Sequence, residues 1–237
     1  MPIEIIETRR LYRQIADQIA NLITAGEYTP GMRLPAERML AEQLKVSRPS
    51  VREALIALEV EGWVEIRGGS GVFVLNRPEA PTFAPTPTTN GIPTPGPFEV
   101  LFARDLIEPD IAALAAKHVT PEQLANLSQA LGLMVCCSAG DIKRIEYDRE
   151  FHFTLAEASG NSALQLAMQA LWTPRVQPVY RCLEDHFHNE QVWQRAIIEH
   201  REILEAIKQG DAKAARQAMH RHMKAVRTRF SSNWSKD

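Results

Sequence analysis

The feature that most constrains this chain is the stretch NRPEAPTFAPTPTTNGIPTPGP, residues 76–97, which holds seven of the fifteen prolines. Proline lacks a backbone N–H and fixes φ, so this stretch supplies neither a helix interior nor a central strand. It reads as a semi-extended linker. The chain therefore divides into residues 1–75, of mixed character, and residues 98–237, which read as nearly all helix. At 237 residues there is enough chain for two separate cores. No uninterrupted apolar run approaches the roughly 20 residues a membrane-spanning helix needs, and no leader-like pattern opens the sequence. Three cysteines, two of them adjacent, make no disulfide framework. That odd count suits a reducing compartment, so a cytoplasmic protein without a membrane partner is expected.

Before the linker, residues 9–25 repeat Leu11, Ile15, Ile19, Leu22 and Ile23 at helical spacing, and Gly26 stops them. Two short helices follow, from near Pro35 to Leu44 and from about Ser47 and Pro49 to Gly62, joined tightly at Lys45 and Val46. Then Val64, Ile66, Val72 and Val74 alternate about a glycine-rich turn, which predicts a small β-hairpin placed as a wing. Through residue 77 ten basic residues balance ten acidic ones, so placement matters more than sum. Arg48 and Arg52 stand one turn apart at the front of the second short helix with Ser50 between them. Arg38 lies on the helix before it and Arg67 at the hairpin tip. The front of a recognition helix is where side chains reach base edges, and arginine can take guanine bidentately there. Gly68 and Gly69 would let the tip come close to DNA. The alternative is a helical domain whose arginines only pair with Glu37, Glu42 and Glu53.

The run GMRLPAERMLAEQLKVSRPSVREALIALEVEGWVEIRGGSGVFV resembles the winged helix-turn-helix of the GntR superfamily of bacterial transcription regulators. By that resemblance, operator contacts fall on Arg38, Arg48, Ser50, Arg52, Arg67, Gly68 and Gly69. The family's wing often carries a histidine where this chain has Gly68. The resemblance, together with the need for two half-sites, implies a homodimer on a palindromic operator.

After the linker, three helical stripes carry polar residues where apolar ones belong. Ile145, Asp148, Phe151, His152 and Leu155 share one face; Trp193, Ala196, Ile197, His200, Ile203, Leu204 and Ile207 share another. A third holds Ala215, Ala218, Met219, His222 and Val226, with His220 rotated off it. Buried polar groups need partners. One aspartate and three histidines on core-facing stripes would pair through a shared divalent cation. Imidazoles suit Zn first, with Ni, Fe or Co possible and Mn kept open by the carboxylate. Each residue taken singly has a plainer reading, as a satisfied core histidine or a local Asp–His hydrogen bond.

Residues from about 98 onward resemble the FadR-type ligand-binding domain named FCD, an antiparallel all-helical bundle. Its metal-binding members use D-x3-H, a histidine after glutamate, and a histidine near the last helix. Those positions are Asp148, His152, His200 and His222 here. The expected fold is thus mostly α, a winged helix-turn-helix with a β-hairpin followed by that bundle. A small carboxylate effector is implied at the metal. Arg104, on the register of Leu101, Glu108 and Ile111, is a candidate to bind it, or else forms a salt bridge between helices. Trp172, Arg175 and Tyr180 surround two prolines, which suggests a kinked helix beside the pocket. Asn161 is expected to cap a helix; His118, His186 and His188 are expected to be exposed; Cys136 and Cys137 to pack. TRRLY, LEVEGWVE, GPFEVLFARDLIE and LWTPR resemble regulators of hexuronate catabolism, which implies a sugar acid such as fructuronate, galacturonate or a related aldonate. Two rival readings use the same cage: a metal-dependent enzyme on a sugar acid, or a regulator whose signal is the metal itself.

Overall fold

The computed structural model describes residues 10–76, 88–89, 92–138 and 140–231. They form two compact units. One is built from the described residues up to Pro97 together with Pro178–Leu183; the other from Phe98–Gln177 and Glu184–Phe230.

In the N-terminal unit three helices, α1 (Leu11–Thr24), α2 (Glu37–Leu44) and α3 (Arg48–Val60), precede the hairpin of β1 (Val64–Arg67) and β2 (Gly71–Val74). Pro35 stands just ahead of α2, whose N-cap is Ala36. The tight turn between α2 and α3 is made by Lys45, a non-glycine residue at φ 55°. Its N–H and that of Val46 return to Glu42 and Ala41, which closes the end of α2. Ser47 opens α3 by accepting from the Ser50 N–H at 3.3 Å, with Pro49 in the first turn. The hairpin registers Val64 with Val74 and Ile66 with Val72, so all four alternating residues face the core, as their spacing predicts. On α1 the buried face is Arg13, Ile15, Ala16, Ile19 and Ala20. Leu11 and Leu22, expected on it, are exposed. The stripe turns because Arg13 enters the core to bind Glu61.

Within the proline-rich segment a minimal antiparallel ladder pairs β3 (Thr88–Thr89) with β4 (Ile92–Pro93). Pairing was not expected there; a two-residue ladder tolerates proline because it is all edge. Residues 77–87 and 90–91 lie outside the described residues.

The second unit is an all-helical bundle of α4 (Pro97–His118), α5 (Pro121–Cys136), α6 (Lys143–Ala158), α7 (Ser162–Trp172), the end of α8 (Pro178–Phe187) from Glu184 on, α9 (Glu190–Lys208) and α10 (Ala212–Ser231). Thr120 and Gln123 form a reciprocal capping box at the start of α5. Asn161 caps α7, as expected, by accepting from Ala163 and Leu164, and Asn189 caps α9 through the Val192 N–H. Gly160 and Gly210, at φ 70° and 67°, end α6 and α9 in the left-handed conformation. The LWTPRVQPVY stretch is not one kinked helix. A 3-10 turn over Thr173–Val176 separates α7 from α8, and Pro178 begins α8. Pro174 starts that turn because its missing N–H is tolerated only in a first turn.

Candidate functional site

The face expected to meet DNA is present, with one correction. Arg38, Gly68 and Gly69 are exposed, and Gly69 has the positive φ of 74° that favours glycine at the tip. A Cβ at Gly68 or Gly69 would meet nothing within 4 Å, so the tip is open. Arg67 is half-exposed, held by Glu65 at 2.7 Å and lying over the Phe73 ring at 4.6 Å. Ser50 is intermediate in exposure. Arg48 keeps 42% of its side chain exposed while its Nε donates to Glu37 Oε1 at 3.0 Å. Arg52 differs: it is only 1% exposed, and its Nε and Nη2 donate to Glu37 Oε2 at 2.8 and 2.6 Å. Arg52, assigned to the operator from its place on α3, is in this arrangement a buried clasp between α2 and α3. Its neighbour Arg48 is the one presented. The alternative pairing of arginines with acidic residues thus holds for both through Glu37. Of the remaining expected partners, Glu53 is also buried and Glu42 is exposed.

In the bundle, the four residues singled out by the helical stripes come together. His152, His200 and His222, from α6, α9 and α10, are 1%, 0% and 3% exposed. One ligating nitrogen of each lies within 4.8 Å of the others. The Nε2 atoms of His152 and His200 are 3.3 Å apart. Asp148, one turn before His152, brings its Oδ1 to 3.1 Å from His200 Nε2 and 3.7 Å from His152 Nε2. Helical periodicity puts Asp148 and His152 on one face. It places His200 and His222 at the centres of stripes that close on that face.

What orients the rings was less legible in the sequence. His200 Nδ1 donates to the Ala196 carbonyl at 2.7 Å, His222 Nδ1 contacts Glu199 Oε2 at 2.8 Å, and His152 Nδ1 stands 2.5 Å from Glu108 Oε2. Where the outer nitrogen of a ring carries its proton, the inner Nε2 offers a lone pair. Burial, then the neighbouring His200, pushes His222 down to about 3. Burial likewise lowers His152 although Glu108 opposes it. Asp148 is raised by burial but pulled well below its usual value by the His200 hydrogen bond and Arg175. Two imidazoles are thus held neutral beside an ionised carboxylate, the protonation that metal ligands require. At 3.3 Å the Nε2 atoms of His152 and His200 can share a proton or a cation. A proton bridges one pair only, whereas one cation can bridge all three rings and Asp148. Nitrogens bound at about 2.0–2.1 Å around a tetrahedral ion would stand roughly 3.3 Å apart. The residues therefore fit a divalent transition metal, with an outer layer of acceptors of the kind that fixes ligand tautomers.

Beside the cage, Arg104 and Arg175 both lie over the Trp172 ring, at 4.5 and 4.1 Å from its centroid. Trp172 in turn contacts His152, with 5.5 Å between ring centroids. Arg104 binds Glu108, one turn along its own helix. Arg175 bridges Asp148 at 2.9 Å and Glu184. Arg104, Trp172 and Arg175, proposed from sequence for the effector, thus gather beside the histidine cluster. Tyr180, proposed with them, is buried on the part of α8 that groups with the N-terminal unit rather than with the bundle. His118 and His186 are exposed and His220 faces outward, as expected. His188 is not exposed at its ring: both nitrogens are buried, and burial and Arg144 push it down to about 4. Cys137 is buried and Cys136 exposed. Glu199, Glu184 and His188 were missed, since only tertiary packing brings them to the cage. Glu108 had a signal, an acid on the inward register of α4.

A helix-turn-helix with a hairpin, followed by a helical bundle with a polar centre, defines a DNA-binding regulator with a sensing domain. Residues 11–74 match the model of the bacterial regulatory proteins of the gntR family, and residues 99–225 match that of the FCD domain. The chain belongs to the GntR family with an FCD-type effector domain. It is a transcription regulator rather than an enzyme. It is 38% identical over 242 residues to the Exu regulon transcriptional regulator of Escherichia coli (strain K12), covering 99% of this chain and 90% of that one. It is 37% identical over 225 residues to the Uxu operon transcriptional regulator of the same strain, covering 94% and 87% respectively. The solved structure of E. coli McbR/YncC superposes with a TM-score of 0.50 at 22% identity, covering 94% of this chain and 98% of that one, and shares the fold.

Proposed function

We propose that this regulator is a homodimeric repressor of sugar-acid catabolism genes that releases a palindromic operator when a hexuronate-type acid binds at a metal in its bundle. The observation that carries this reading is the convergence of the His152, His200 and His222 rings with Asp148, their outer nitrogens already engaged. The kinship with the Exu and Uxu regulators supports the effector class. Asp148, His152, His200 and His222 would hold the ion, with zinc favoured by three imidazoles over the carboxylate-preferring metals. When bound, the ion supplies a Lewis-acidic positive charge that attracts a carboxylate. Arg175, already bridging Asp148 and Glu184, orients that carboxylate beside the cage, and Trp172 closes the site against water.

On the DNA side, Arg48 presents its guanidinium to a guanine edge while Arg38 and Arg67 meet phosphates. The acid must bind the operator-incompetent arrangement more tightly, because equal affinity for both shifts nothing. A tenfold loss of operator affinity asks for about 1.4 kcal/mol of such preference.

The test is a thermal-shift screen of hexuronates on zinc-loaded and metal-stripped protein, followed by operator release. A ligand at 100 times its Kd adds about 2.7 kcal/mol. Stabilisation of the loaded form alone, with operator release by the same acid, is the expected result. Release by metal alone, with no response to any acid, would make the metal itself the signal and end the effector assignment.

A further inference from the structure

Three buried polar groups next to the cage have no hydrogen-bond partner among the described residues. They are the Trp172 Nε1, Glu184 Oε2 and both ring nitrogens of His188. Trp172 and Glu184 are 4% and 2% exposed. Trp172 and Glu184 touch the Arg175 bridge, and His188 lies within the fields of Arg175 and Asp148. Arg175 lies 4.1 Å above the Trp172 ring and binds the other oxygen of Glu184. His188 follows one turn after Glu184, its N–H donating to the Glu184 carbonyl at 2.8 Å. No described residue hydrogen-bonds these atoms. A buried group without a partner is expensive to keep, so several at one place point to something that completes them.

We infer that Trp172, Glu184 and His188 are the hydroxyl-reading half of the effector site, the groups by which it tells a sugar acid from a plain carboxylate. This rests on the effector reading given above. The chemistry of the three groups narrows the class. Indole N–H only donates, an ionised carboxylate oxygen only accepts, and a neutral imidazole does one of each. Hydroxyl groups, which donate and accept, satisfy all three. A hydroxyl-free acid leaves Glu184 Oε2 without a donor. A second carboxylate would stand against Glu184 and Asp148. His188 is held neutral by burial and by Arg144, which keeps both of its roles available.

The experiment uses the full-length, zinc-loaded chain and measures Kd by calorimetry for D-galacturonate and for hexanoate, a six-carbon acid without hydroxyls. The variants are His188→Phe and Trp172→Phe, which keep a ring and remove the polar atoms; zinc content serves as the folding control. Wild type should bind galacturonate well ahead of hexanoate. Each variant should lose about tenfold toward galacturonate, with hexanoate and zinc binding unchanged. If His188→Phe loses its zinc, Trp172→Phe alone carries the test. Wild-type affinity for galacturonate in the folded variants would overturn the inference and leave the effector reading standing, with water as the partner of these groups. Equal losses for both acids would overturn it too. Binding of neither acid by the wild type would remove the effector reading and the inference with it.

Discussion

Both units bury charge, but they do so in opposite ways. In the N-terminal unit Glu37 accepts from Arg48 and Arg52, so opposite charges already meet. In the bundle, Asp148, His152, His200 and His222 turn lone pairs and a carboxylate toward one another, while their outer atoms are bound. The first arrangement is a clasp that holds α2 to α3 and fixes how Arg48 is offered. We propose that a cation completes the second. A buried polar cluster signals a ligand when its unused atoms share one electrostatic sign, and signals structure when opposite signs already meet.

Removing one side of the clasp should have the largest effect on folding. Glu37→Ala takes away the carboxylate that the buried Arg52 Nε and Nη2 both reach, and about 3–5 kcal/mol of stability should be lost in urea unfolding. A loss below about 1 kcal/mol would mean that the pair behaves like a surface bridge, and the contrast between the units would fail. In the bundle, His200→Ala should weaken zinc binding by more than about 100-fold in chelator competition. Glu199→Gln, which alters only the partner of His222, should stay within about 10–100-fold. Equal effects of the two would erase the distinction between ligand and orienting group.

The metal-stripped bundle should also respond to pH. His222 and His188 are pushed down by burial, to about 3 and about 4, with His200 and Arg144 adding to the respective shifts. Unfolded histidine takes a proton near 6.5. Between those values the unfolded chain binds more protons than the folded one, so stability is full above about pH 6.5 and falls as pH drops toward 4. Thermal denaturation at pH 8, 6.5 and 5 checks this; a constant midpoint would contradict two neutral buried imidazoles. Arg48→Ala should lose about 1–3 kcal/mol of operator affinity and relax preference at one base pair. The smallest change is expected from Arg67→Ala, which should reduce the salt dependence of operator binding by about one phosphate. Footprints on operator variants would separate the two roles.

Much of this was legible in the chain before any coordinates, for a physical reason. Periodicity is local. The alternation of Val64, Ile66, Val72 and Val74 could only be a hairpin with one buried face. The stripes through His152, His200 and His222 could only bring those rings inward. Proline content alone separated the two halves. Composition and spacing thus determined the winged helix-turn-helix, the helical bundle and the four polar residues at its centre. They did not decide which arginine on α3 faces outward. Arg48 and Arg52 differ by 40° around a helix, and the choice depends on Glu37, which arrives from α2 at the same point. Nor could they supply the outer acceptors. Glu199 binds a histidine 23 residues away, and Glu184 and His188 are turned toward the cage after the 3-10 turn that breaks the chain at Thr173–Val176. Contacts between distant segments have no period to betray them. Only the packed structure brings those charges together, because only there are they close enough and dry enough to choose partners.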